Sequence, residues 1–289
     1  MNYEITGATK LTALLGSPVA HSISPQMHNE AFRQLGLNYV YLAFDVTSET
    51  LKDAVAGLKA VGICGFNLTM PLKVDILPLL DELTPAAKLA GAVNTVMVKD
   101  KKLIGHTTDG VGYLRSISAT GHDISGKKMT LLGAGGAATA ICAQAALDGI
   151  PSIDMFKRKN ATWDKALEFC QKTSSKTGCQ IRLLDLQKEE LLAQSISESA
   201  ILTNATNLGM APNTSVSPIL DPSILHKDLI VSDIIYNPRE TLLLRQAKER
   251  GCFCMNGLYM LLYQGAAAFT CWTGQEMPIE IIQKKYFSN

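Results

Sequence analysis

No stretch of this sequence approaches the ~18 consecutive apolar residues of a membrane span, because its apolar runs are short and broken by Gly, Ser or charge. A transmembrane helix is not expected. Residues 1–10 hold no basic stretch leading into an apolar one, so no secretion signal is expected either. Excess charge of one sign is also missing. The 27 Lys and Arg stand against 26 Asp and Glu, for a formal net charge of +1, and no global field draws in nucleic acid or an anionic membrane. The seven cysteines are odd in number, scattered and without a C-x-x-C pair, which argues against a disulfide framework and a structural zinc site. A reducing cytoplasm fits that usage. Long linkers, internal repeats and low-complexity tracts are absent as well.

What is present is apolar substance. Of 289 residues, 47% are hydrophobic and 18% charged, enough for roughly two domains, each with its own core. Small molecules become the expected partners. Strand-like runs at 11–15, 39–45 and 62–68 alternate with helical patterns at 24–35 and 49–60, the rhythm of a mainly parallel α/β sheet. A second series starts near Lys127, with strands expected at 128–132, 152–156, 180–184, 200–204 and 229–232. Between them, residues 109–120 read as a bridging helix closed by Gly121. The nearly uncharged helical pattern at 258–273 suits a buried helix returning to the first domain. The expected division is residues 1–110 with 258–289 as a substrate and catalytic domain, and 111–257 as a Rossmann-type, doubly wound dinucleotide-binding domain, with a ligand cleft between the two sheets.

The strand Met129–Leu132 runs into Gly133-Ala134-Gly135-Gly136-Ala137-Ala138, a G-x-G-x-x-A turn opening a helix. Gly133 permits the tight turn, Gly135 removes a Cβ from the path of a pyrophosphate, and Ala138 allows close helix packing. The free amides of the helix start then bind phosphate. After the next strand, an NAD enzyme would place an acid to accept a bond from the ribose 2′-hydroxyl. This sequence instead reads Lys157-Arg158-Lys159-Asn160. Three cations suit the 2′-phosphate of NADP, so NADP is favoured and NAD stays open.

Polar groups also gather at strand ends in the first half. His21-Ser22-Ile23-Ser24-Pro25 sets two hydroxyls two residues apart; in an extended segment both share a face and can donate to a carboxylate. Ser24 with Pro25 also reads as a helix cap. Asn67-Leu68-Thr69-Met70-Pro71-Leu72-Lys73 closes an apolar strand, with Lys73 its one titratable group, and Gly91–Thr95 and Gly105–Gly110 bring polar groups to further boundaries.

The motifs H-S-x-S-P, N-x-[ST]-x-P-x-K, G-A-x-N-T, T-D-G-x-G, G-A-G-G-A and G-x-x-M-L-x-x-Q-G occur in this order across essentially the whole chain. Together they resemble the shikimate dehydrogenase family, and within it look closest to the quinate/shikimate dehydrogenase branch. The resemblance implies reversible hydride transfer between NADP or NAD and the ring carbon of 3-dehydroshikimate or shikimate, in aromatic biosynthesis. It implies Lys73 and Asp109 as the catalytic pair. Ser22, Ser24, Tyr236 and Tyr41 would hold the carboxylate, and Thr69, Asn94, Thr108 and Gln264 the ring hydroxyls. Asn207, Ile234 and Gly257 would join the turn and the three cations around the dinucleotide. No metal is implied, and a homodimer remains open beside a monomer. Asn160 departs from the acid carried by the branch that uses NAD. A regulatory nucleotide sensor without turnover is the alternative of another class, and the intact Lys73 and Asp109 pair speaks against it.

Overall fold

The computed structural model describes residues 4–287, which fall into two compact units: residues 4–112 with 262–287, and residues 113–261. In chain order the first unit builds β1 (Lys10–Gly16), α1 (Ser24–Gln34), β2 (Tyr39–Asp45), α2 (Leu51–Ala60), β3 (Gly65–Leu68), β4 (Glu82–Leu83), α3 (Pro85–Ala90), β5 (Thr95–Lys99) and β6 (Lys102–His106). Helix α4 (Asp109–Ser118) carries the chain into the second unit. The first sheet has the order β2-β1-β3-β5-β6-β4. Its β1 pairs are parallel, whereas β5 runs antiparallel to both β3 and β6.

The β5–β6 hairpin is not anticipated by the sequence pattern, and the reason is local. Its turn holds Asp100 at φ 52° and Lys101 at φ 63°, conformations usually announced by Asn-Gly or Asp-Gly. The core of this unit gathers Phe66, Leu68, Leu72, Ile76 and Val96 against Leu51 and Val55 of α2.

The second unit follows with β7 (Met129–Leu132), α5 (Gly136–Leu147), β8 (Ser152–Lys157), α6 (Trp163–Thr177), β9 (Gln180–Asp185), α7 (Glu189–Ser197), β10 (Ile201–Asn204), β11 (Ile230–Asp233), α8 (Leu242–Glu249) and β12 (Phe253–Met255). All its strand pairs are parallel, in the order β12-β11-β10-β7-β8-β9. Numbered from β7, that is the 3-2-1-4-5-6 order of a doubly wound dinucleotide fold, with its switch point between β7 and β10.

Alternation along the strands feeds two cores. Met129 and Leu131 face one side with Ile141, Cys142 and Ala145 of α5, while Leu132 and Phe156 face the other with Leu192 of α7 and Leu243 of α8. Helix α9 (Leu258–Thr273) ends among the first unit's residues and is followed by α10 (Ile279–Ile282). A Cβ on Gly265 would lie 2.2 Å from Met27 Cε, so that glycine lets α9 approach α1. Among the described residues no helix is long and apolar enough to cross a membrane, and all seven cysteines are free thiols.

Candidate active site

In the first unit β1 lies between β2 and β3, so the loops leaving β1 and β3 border a topological switch point, where open α/β sheets bind ligands. Two backbone bonds lace these loops together: Thr69 N donates to Leu15 O at 2.9 Å and Ser17 N to Met70 O at 3.0 Å. Lys73 follows on the second loop. Its Nζ donates to Oδ2 of Asp109 at 2.6 Å, with the carboxylate side chain 7% exposed and the lysine side chain 23%. Asp109 opens α4, where a carboxylate is favoured by the helix dipole.

Asn94 organises the rest. Its Nδ2 reaches Oδ1 of Asp109 at 2.8 Å, Oγ1 of Thr108 at 3.0 Å and Oε1 of Gln264 at 3.2 Å, and its Oδ1 accepts from Thr108 N at 2.8 Å. Gln264, 170 residues away in sequence, reaches this cluster because position 112 is glycine. A Cβ there would lie 2.5 Å from Gln264 N. That close approach is a physical reason for the second glycine of T-D-G-x-G. The cluster therefore joins Lys73, Asn94, Thr108, Asp109 and Gln264 within one unit, with Thr69 half-buried on the loop that carries Lys73.

Two sequence expectations about the Ser22–Ser24 segment need correction. The segment is not extended: Ile23 has φ −81° and ψ −11°, and Ser22 N bonds Val19 O in a turn. Ser24 does not cap α1 but is its first residue, and Ser22 Oγ accepts from Ser24 N at 3.2 Å. Pro25 as the second helical residue enforces this start. Tyr41 is fully buried and donates to Oδ1 of Asn67 at 2.8 Å. Burial pushes its phenol well above the ordinary range, so it stays a hydroxyl donor. His28 stacks on Tyr41 at 4.4 Å with neither ring nitrogen bonded, and burial lowers it to about 3.

In the second unit, Gly133 takes φ +108°, and a Cβ on it would meet the Ala205 carbonyl at 2.7 Å. A Cβ on Gly135 would meet nothing within 4 Å. The first α5 bond runs from Thr139 N to Gly135 O, and no side chain caps that end. The amides of Gly136, Ala137 and Ala138 precede the first intrahelical bond and have no side-chain cap, the condition under which a helix start binds phosphate. The glycine turn after β7 thus has the open space and the free amides that suit a pyrophosphate. Arg158 and Lys159 are exposed, whereas Lys157 is buried.

Asn207 is exposed, Tyr236 is 41% exposed, and Gly257 passes Ile234 so closely that a Cβ would sit 1.9 Å from its carbonyl oxygen. Two buried residues not singled out from sequence set these loops. Asn204 Oδ1 accepts from Thr206 N and Oγ1, while Asp233 accepts from Asn204, Ile235 N and Thr241. Burial pushes Asp233 up to about 6. Asn67 and Thr95 play the same bracing part in the first unit. Asn204 and Asp233 each end a short buried strand, and that polar full stop is the signal that could have found them.

Residues 14–96 match the shikimate dehydrogenase substrate binding domain and residues 257–285 the shikimate 5′-dehydrogenase C-terminal domain. A curated shikimate dehydrogenase (NADP(+)) of Listeria monocytogenes is 51% identical over 284 residues, covering 98% of each chain. A quinate/shikimate dehydrogenase of Escherichia coli is 43% identical over 281 residues, covering 97% of this chain and 98% of the other. The crystal structure of shikimate 5-dehydrogenase from Listeria monocytogenes, in complex with shikimate and NAD, superposes with a TM-score of 0.94 at 50% identity, covering 98% of both chains. With near-complete coverage at such identity, the chain belongs to the shikimate dehydrogenase family.

Proposed function

We propose that this chain is an enzyme catalysing the reversible NADP-linked reduction of 3-dehydroshikimate to shikimate. The observation that carries the reading is the Lys73–Asp109 ion pair, 2.6 Å long and tied into the Asn94 cluster. When bound, the nicotinamide supplies or accepts the hydride. As hydride reaches the carbonyl carbon, negative charge grows on oxygen. The Lys73 ammonium stabilises that charge and delivers the proton, and in the oxidative direction Lys73 takes the proton back. Asp109 fixes where the ammonium points, and Asn94 fixes Asp109.

The ring hydroxyls fall to Thr69, Asn94, Thr108 and Gln264, whose groups both donate and accept and so suit a polyhydroxy ring. The substrate carboxylate is assigned to the hydroxyls of Ser22 and Ser24, while the buried Tyr41 spends its one hydrogen on Asn67 and braces that strand. The glycine turn after β7 holds the pyrophosphate on backbone amides, and Arg158 and Lys159 meet the 2′-phosphate. Seven unpaired thiols favour residence in the reducing cytoplasm.

A second reading, quinate/shikimate dehydrogenase using NAD or NADP, is favoured by the 43% identical relative of that name. The neutral Asn160 argues for NADP. Initial rates with shikimate and quinate, each under NADP+ and NAD+, separate the two. Shikimate with NADP+ is expected to have the highest kcat/KM, and a higher value for quinate with NAD+ would overturn the assignment.

A further inference from the structure

Lys157 ends β8 and is the first of the three successive cations, yet its side chain does not project toward solvent as its neighbours do. The residue is only 9% exposed. Its Nζ donates to Oδ1 of Asn160 at 2.5 Å, to Oγ1 of Thr162 at 2.8 Å and to the carbonyl of Arg158 at 3.4 Å. An ammonium has three hydrogens, and all three are answered inside the loop. The same Asn160 oxygen also accepts from Thr162 N at 3.1 Å and Thr162 Oγ1 at 2.9 Å. A carbonyl oxygen offers two lone pairs, and three donors from within the loop already share this one.

We propose that Lys157 is a specificity-determining positioning residue: its buried ammonium occupies the oxygen acceptor of Asn160 and leaves the exposed Arg158 and Lys159 to set the dinucleotide preference. The inference rests on the NADP-linked reading and deepens it. A ribose 2′-hydroxyl must find an acceptor at the turn after the second strand, where NAD-using sites carry an acid. In this chain the acceptor at that turn is already taken. A 2′-phosphate needs cations and loses nothing.

One consequence runs against the usual expectation for such turns. Asn160→Asp alone would not create NAD preference, because the Lys157 ammonium already on this side chain would neutralise the new carboxylate's charge. Only removing the ammonium as well would leave that negative charge unneutralised and able to draw a ribose 2′-hydroxyl.

The test compares the wild type, Asn160→Asp, Lys157→Met and the double variant. Dissociation constants for NAD+ and NADP+ come from calorimetry, and KM and kcat for each dinucleotide from shikimate oxidation. Asn160→Asp is expected to move the NAD+ to NADP+ affinity ratio less than about threefold, and the double variant at least about tenfold toward NAD+, the excess over additivity expected of coupled neighbours. Lys157→Met is expected to lower NADP+ preference through KM rather than kcat. If Asn160→Asp alone turns the ratio as far as the double variant, or if Lys157→Met weakens both dinucleotides equally, the proposal is overturned. Should circular dichroism show the Met variant unfolded, Asn160→Asp alone decides: a small shift supports the lock and a tenfold shift contradicts it. A wild type that binds neither dinucleotide, or binds them without oxidising shikimate, refutes the underlying NADP-linked reading instead.

Discussion

The two sheets hold polar groups at their strand ends by opposite means. In the first unit they are side chains from distant segments that bond one another directly: Lys73 to Asp109, Asp109 to Asn94, Asn94 to Gln264. In the second unit they are the backbone amides at the start of α5, one short stretch that no side chain caps. A side-chain cluster can move a proton and read hydroxyl stereochemistry. A row of amides at a helix start can do neither, but it receives a diphosphate without rearrangement. Chemistry and anchoring thus reside in different kinds of structure, and substitutions in the two should fail differently.

The largest difference is expected at the cluster. Asp109→Ala leaves the Lys73 ammonium unanchored and should lower kcat by about 10²–10³-fold, the scale of a general acid–base contribution, in steady-state shikimate oxidation. A variant retaining near wild-type kcat would show that the ion pair is structural.

Next comes an acid limb owed to His28, a buried base under Tyr41 with its proton affinity lowered to about 3. A depressed base stabilises the fold fully above its unfolded value near 6.5 and loses that stabilisation as pH falls toward 3. Stability should therefore drop by about 2–3 kcal/mol between pH 7 and 4.5. Urea unfolding at the two values measures it, and His28→Phe should flatten that limb.

Two glycines then sharpen the contrast. Gly112→Ala drives a Cβ into the backbone of Gln264 and should cost about 1–3 kcal/mol of stability. Gly135→Ala meets only open space, so stability should stay within about 0.5 kcal/mol, while affinity for NADP+ falls about tenfold, or 1.4 kcal/mol. Thermal melts and calorimetry read both.

The smallest effect belongs to the β5–β6 turn, where replacing Asp100-Lys101 by Asn-Gly relieves two positive φ values and should add about 0.5–1 kcal/mol.

The same contrast governs what the sequence discloses. The glycine turn is legible because its whole mechanism lies within six consecutive residues bounded by a strand and a helix. The long helix α9 and five of the six strands of the second sheet are legible too, since their periodicity is local, whereas the three-residue β12 is too short to show one. The first unit's cluster is not, because Asn94 and Gln264 are brought together by a close helix approach at Gly112 that no local spacing encodes. Family motifs supplied the residues, but not the bonds among them. Lys157 shows the limit from the other side: three successive cations look alike in sequence, and only the fold turns one of them inward.

The central claim is that Lys73 transfers the proton, and the most direct test is Lys73→Ala with kcat and shikimate affinity measured separately, by stopped-flow turnover and by calorimetry. The account predicts a kcat lowered by about 10²–10⁴-fold with shikimate affinity changed less than about threefold. A turnover number within about threefold of wild type, whatever happens to affinity, would contradict it.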